Sequence, residues 1–154
     1  MTSNVRVVID TNVAVSAALL PRSVPRQAFD RALEHGTVLI SSATVAELNG
    51  VLRRPHFDKY VHEDERLEFL ATLVRDAELV VVTDVVTVCR DPKDNTFLEL
   101  ALSGKATHIV SGDEDLLVLH PFRGVLILTP QVFLAHWERQ EEPGLPDDQG
   151  SRRS

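Results

Sequence analysis

Cysteine is almost absent from the 154-residue chain, which has only Cys89. No intrachain disulfide can form, which suits a reducing compartment. A lone cysteine does not make a thiolate zinc site either, so Cys89 reads as a small buried hydrophobe. Aromatic residues are scarce at 5%, with one tryptophan and one tyrosine. No apolar stretch approaches the roughly 20 residues of a membrane span. Asp10 interrupts the first apolar run and no basic segment precedes it, so no secretory leader is evident. The expectation is a soluble, cytoplasmic protein with no membrane partner. Basic charge is also short: the net charge is −7 and the pI is near 5.3. At face value this argues against a nucleic-acid partner. The histidines (His35, His56, His62, His108, His120 and His136) form no pair at metal-ligand spacing. No glycine-rich phosphate loop occurs, and Ser41, Ser42 and Ser111 lack the setting of a nucleophile elbow.

What the chain does have is hydrophobic content, 44%, enough for one domain with a real core. Five short apolar, β-branched runs read as strands: VRVVI (5–9), TVLI (37–40), ELVVV (78–82), THIVS (107–111) and GVLIL (124–128). Runs without polar alternation are those of parallel strands buried on both faces. Helical spacing fills the gaps: from Asp10 to Leu20, then 24–35 ended by Gly36, 42–53, 63–76, 92–103 ended by Gly104, and 130 to about 140. Strands alternating with helices predict an α/β fold, a parallel sheet with helices on both faces. The Leu and Phe stripe from 67 to 74 reads as core, with a dimer contact as the minor alternative. Phe133 and Trp137 read as the docking face of the last helix. The ending EEPGLPDDQGSRRS is polar and rich in Pro, Gly and Asp, so residues 1–140 are expected to form the domain and 141–154 a disordered tail.

In an open α/β sheet, ligands bind beyond the carboxyl ends of the strands. Asp10 follows the first strand directly. Asp113 follows the fourth through Ser111 and Gly112, with Asp115 two residues on. Glu47 in ATVAELNGVL and Asp94 in DPKDNTFLELAL fall near helix N-termini, where partial positive charge tolerates a carboxylate. Each acid also has a plainer reading. Asp10 could begin a turn. Asp94 could serve its helix alone, with Asp91 at the N-cap and Pro92 at the first helical position. Glu47 could complete a capping box with Thr44. Asp113, Glu114 and Asp115 could be an ordinary acidic first turn. If the acids converge, their repulsion raises their pKa values or requires a cation. Carboxylates without nearby histidine or cysteine favour a hard ion such as Mg²⁺ or Mn²⁺. The chemistry that follows is metal-assisted phosphodiester hydrolysis, in which the ion activates water and polarises the phosphoryl oxygen.

IDTNV, the segment from Ser42 to Glu47, DPKDNTFLELAL and IVSGDEDLL, in that order, resemble the PIN domain. With RPHF and ILTPQVFL added, the chain resembles the PIN-family toxin components of bacterial toxin–antitoxin systems from residue 5 to about 137. The resemblance implies an α/β/α sandwich around a parallel sheet of about five strands. It also implies a metal-dependent ribonuclease acting on RNA, a cognate antitoxin that blocks the site, and a homodimer. Asp10, Glu47, Asp94 and Asp113 match the acid cluster, with Asp115 as a fifth member that could hold a second ion. Asn12 and Ser42 match polar positions that support it. Two other readings stay open. One is a catalytically silent PIN-type binding module. The other is an aspartyl-phosphate phosphatase, which would need a second acid where Asn12 stands.

The charge deficit is concentrated in these acids. The segment from 139 to 154 carries three basic and four acidic residues. Of the −6 left on the body, the five candidate acids supply −5, so the remaining surface is close to balanced. Arg22, Arg26, Arg53, Arg54 and Lys93 are the candidates for contact with RNA. With so little basic excess, phosphate contacts should be few and the salt dependence shallow.

Overall fold

The computed structural model describes residues 4–141. Its elements run β1 (Arg6–Ile9), α1 (Thr11–Leu19), α2 (Val24–His35), β2 (Thr37–Ile40), α3 (Ser42–Leu52), α4 (Glu63–Asp76), β3 (Glu78–Leu79), α5 (Pro92–Ser103), β4 (His108–Val110), α6 (Glu114–Leu117), β5 (Leu126–Leu128) and α7 (Pro130–Glu141). A 3₁₀ turn, Pro55–Phe57, links α3 to α4. The sheet has five strands in the order β3-β2-β1-β4-β5, and every neighbouring pair is parallel. This is the expected α/β/α architecture. Of the tail expected from 141, Glu141 ends α7 and the rest lies outside the described residues.

The strands are apolar throughout because both faces are covered. Val7, Val38, Ile40 and Val110 enter a core built with α1, α2, α3, α4 and α7. Val8, Leu39, Ile109 and Ile127 enter a second core with Phe97, Leu98, Leu100 and Leu116. Adjacent residues on one strand thus face opposite cores, the period of two that a pleated strand requires. Phe133 and Trp137 are buried in the first core, where α7 packs on α2. Leu70 and Leu73 from the 67–74 stripe are buried there too, while Val74 is exposed.

Three local features depart from the expectations or add to them. The ELVVV run pairs with β2 only at Glu78 and Leu79, with one further bond from Val80 N–H to the Ile40 carbonyl at 2.8 Å. Beyond it, the chain is taken over by α5. The Ser103 hydroxyl accepts the N–H groups of Thr83 and Asp84, Glu99 accepts that of Val86, and Asn95 accepts that of Cys89, each at 3.0 Å. These three acceptors lie four residues apart on one helix face. Second, Gly36 ends α2 without a left-handed turn, at φ −126°. A Cβ there would sit 2.9 Å from the Val5 carbonyl oxygen, so glycine is needed for clearance. Third, Arg66 is fully buried. Its guanidinium donates to the Leu52, Val61 and Arg54 carbonyls and to Asp58, fastening the α3–α4 connection. Among the described residues no helix is long and apolar enough to cross a membrane.

Candidate metal centre

β2 and β4 lie on either side of β1, and chain order reverses between them. The crevice at such a switch point opens beyond the strands' carboxyl ends, where Asp10 and the Ser111–Asp113 turn fall. Asp10 ends β1 and caps α1: its Oδ1 accepts the Asn12 N–H at 3.2 Å. Its Oδ2 accepts the Ser111 hydroxyl at 2.6 Å. That hydroxyl also accepts the Asp113 N–H at 2.9 Å, so one buried serine joins the two acidic turns. Asp113 in turn caps α6, its Oδ1 accepting the Asp115 N–H at 2.9 Å. Asp91 caps α5 as expected, and Asp94 occupies the first turn of that helix.

Asp94, Asp113 and Asp115 each offer a carboxylate oxygen, all within 4.8 Å of one another. Asp94 is only 8% exposed, and its Oδ2 is buried without a hydrogen-bond partner. Burial, then repulsion from Asp113, Asp91, Asp10 and Asp115, pushes its pKa up to about 6. Burial also raises Asp10; the Ser111 and Asn12 bonds pull the other way, and the charges of Asp113 and Glu47 add to the rise. Three clustered carboxylates and an orphaned buried oxygen are what a hard divalent cation would satisfy.

The sequence candidates divide. Asp94, Asp113 and Asp115 form the tight group, and Asp10 acts on it through Ser111 and through its charge. Glu47 is half-buried on α3, and its charge reaches Asp10. It is not part of a capping box. That box belongs to Ser41 and Thr44, which exchange side-chain and backbone bonds at the start of α3. Asn12 supports Asp10 through its backbone, with an exposed side chain. Ser42 is exposed and lines a separate groove with Val80, Val82 and Thr96. Of the basic candidates, Arg26 is tied to Asp30 at 3.0 Å and Arg53 to Asn49 and Glu63. Arg22, Arg54 and Lys93 are exposed. Cys89 is half-buried, and burial plus the nearby acids, Asp94 foremost, hold its thiol protonated. His108 is buried and kept neutral, its pKa lowered to about 4 by burial and then by His136.

Two residues escaped the sequence reading. The sequence presents Ser111 only as a link between the fourth strand and Asp113; its place between a buried strand and an acid is the available signal. Arg90, directly before the DPKDN motif, donates from Nη2 to Asp115 Oδ1 at 2.7 Å. Nothing in its spacing singled it out.

The sequence profile of the PIN domain matches residues 6–115. An uncharacterized protein of Methanocaldococcus jannaschii, MJ1680, is 29% identical over 145 residues, covering 88% of this chain and 93% of its own. PAE2754 from Pyrobaculum aerophilum superposes with a TM-score of 0.60 at 15% identity, over 88% of this chain and 97% of its own. A chain of VapBC2 from Rickettsia felis, solved bound to a DNA fragment from the VapBC2 promoter, gives 0.53 at 13% identity, over 79% of this chain and 96% of its own. At such identities the two structures speak for the fold.

Proposed function

Because the chain belongs to the PIN domain family, we propose that it is a Mg²⁺- or Mn²⁺-dependent endoribonuclease, acting as the toxin of a toxin–antitoxin pair. The observation that carries the reading is the Asp94, Asp113 and Asp115 group with the partnerless Asp94 Oδ2 in its wall. The all-oxygen donor set fits a hard ion, and Asp94, Asp113 and Asp115 would hold it, with Asp10 and Glu47 adding negative charge. When bound, such an ion supplies Lewis acidity to a phosphoryl oxygen and acidifies water.

The chain's own residues do the rest. Ser111 donates to Asp10 and accepts from the Asp113 backbone, so it fixes the spacing of both carboxylates. Asp91 and Pro92 set the start of α5 and so place Asp94 in its first turn. An open cleft of about 380 Å³ lined by Asn12, Ser16, Gly112 and Asp113 gives a phosphodiester chain room beside the acids.

The VapBC2 likeness supports an antitoxin partner for this chain, and the homodimer rests on the family resemblance alone. The test is cleavage of a short single-stranded RNA in Mg²⁺ or Mn²⁺, in chelator, and with Asp10→Asn. Cleavage should disappear in chelator, return with either ion, and fall by orders of magnitude in the folded variant. Normal cleavage by Asp10→Asn would show that the acids are not the site. Growth arrest on expression, relieved by a co-expressed neighbouring gene product, tests the toxin role.

A further inference from the structure

We propose that Arg90 is the resident cation of the carboxylate cluster: it neutralises Asp115 in the RNA-free protein and moves onto the scissile phosphate when RNA binds. The inference rests on the nuclease reading and adds a substrate-contacting residue to it. Arg90 Nη2 lies 2.7 Å from Asp115 Oδ1, and Asp115 shares the 4.8 Å cluster with Asp94 and Asp113. The guanidinium therefore sits on a carboxylate that the metal ion would otherwise take. Its side chain is 84% exposed, and Asp115 is its hydrogen-bond partner, with the Asp113 charge also reaching it. The remaining N–H donors stay open to solvent at the mouth of the cluster, in the planar fork that suits a phosphate.

The backbone around Arg90 is held while the side chain is not. Asn95 anchors the Cys89 N–H, and Glu99 and Ser103 hold the segment before it along α5. Asp91, the next residue, caps the same helix. An exposed ion pair contributes little to stability, so exchanging Asp115 for a phosphate oxygen is an easy move. An incoming divalent ion would favour the exchange by taking Asp115 for itself.

The chemistry needs such a charge. In phosphodiester hydrolysis a water oxygen forms a new bond to phosphorus. The bond from phosphorus to the leaving ribose oxygen breaks, its electron pair stays on that oxygen, and the proton lost by water ends there. Negative charge builds on the phosphoryl oxygens midway, and a guanidinium in contact stabilises it without giving up a proton.

Arg90→Ala and Arg90→Lys test this in the full chain. In calorimetric Mn²⁺ titrations without RNA, Arg90→Ala should bind Mn²⁺ several-fold more tightly than wild type, because its competitor is gone. Arg90→Lys should stay near wild type. On a short RNA, kcat should fall about 100-fold in Arg90→Ala with a smaller change in KM, and Arg90→Lys should restore part of the loss. An arginine that only fastened the 80–91 segment would lower the melting temperature and leave Mn²⁺ affinity unchanged or weaker. Equal Mn²⁺ affinity in wild type and Arg90→Ala, or equal kcat, overturns the proposal. If wild type cleaves no RNA, the nuclease reading fails, and with it the phosphate contact; the Mn²⁺ titration still decides whether Arg90 guards Asp115.

Discussion

Replacing Asp94 with asparagine should stabilise the metal-free protein, and the size of the gain follows from the site. The carboxylate is buried, lacks a partner at Oδ2, and has its pKa raised from 3.8 to about 6. The native state therefore holds this proton more tightly than the unfolded chain does. The resulting stability is fully present below the unfolded value of 3.8 and is lost as pH rises through 6. About two pKa units correspond to about 3 kcal/mol, the amount by which the ionised form is disfavoured at neutral pH. Asparagine removes the charge, but its amide inherits a buried position without a partner, which returns about 1–2 kcal/mol of that gain. The net expectation at about pH 8 is a variant more stable by about 1–2 kcal/mol, or about 3–6 °C for a domain of this size. At about pH 4, where the native carboxyl is already protonated, the advantage should vanish or reverse. Thermal unfolding followed by circular dichroism in chelator at both pH values measures this. With Mn²⁺ added the order should invert, because wild type gains binding free energy that the variant, short of one ligand, does not. An Asp94→Asn variant no more stable than wild type at high pH, or a gap independent of pH, would mean that burial and repulsion do not disfavour the charge at Asp94.

Ser111→Ala removes the hydroxyl that joins Asp10 to the Asp113 backbone. RNA cleavage should fall about 10- to 100-fold, as for other residues that orient metal ligands, with Mn²⁺ affinity falling in parallel. Arg66→Ala strands the Leu52 and Val61 carbonyls, and chemical denaturation should report a loss of about 3 kcal/mol. Binding of a non-cleaved RNA should depend weakly on salt, with a log–log slope of magnitude no more than about 3, since the chain carries little basic excess even when the five candidate acids are set aside. A slope far steeper than that would place the RNA contacts on a basic surface the cluster does not explain.

The architecture was readable because a parallel sheet covered on both faces leaves continuous apolar runs, and Val7–Val8 and Val38–Leu39 report that covering directly. The extent of β3 was not. ELVVV has the composition of a strand, but Ser103, Glu99 and Asn95 compete with β2 for its backbone, and such a competition depends on how α5 packs. The basic candidates were chosen by charge alone, and charge does not tell that Arg26 is spent on Asp30 or Arg53 on Glu63. Arg90 went unnoticed for the converse reason: its partner, Asp115, lies 25 residues away in sequence.

For Asp10, Asp94 and Asp113, the plain reading does not exclude the functional one. Asp10 caps α1, Asp113 caps α6, and Asp94 sits in the first turn of α5. Each explains how its own helix begins. Three helix starts meeting at one crevice then bring their acids together, and the partial positive charge of the helix ends offsets part of the repulsion. It does not offset all of it, since Asp94 and Asp10 both keep raised pKa values. Capping accounts for Asp10 and Asp113 and would be equally satisfied there by serine or asparagine, whereas Asp94 stands in the first turn behind the Asp91 cap. What capping leaves over is the charge itself, gathered where no local need requires it, and that surplus is the reason to look for a cation.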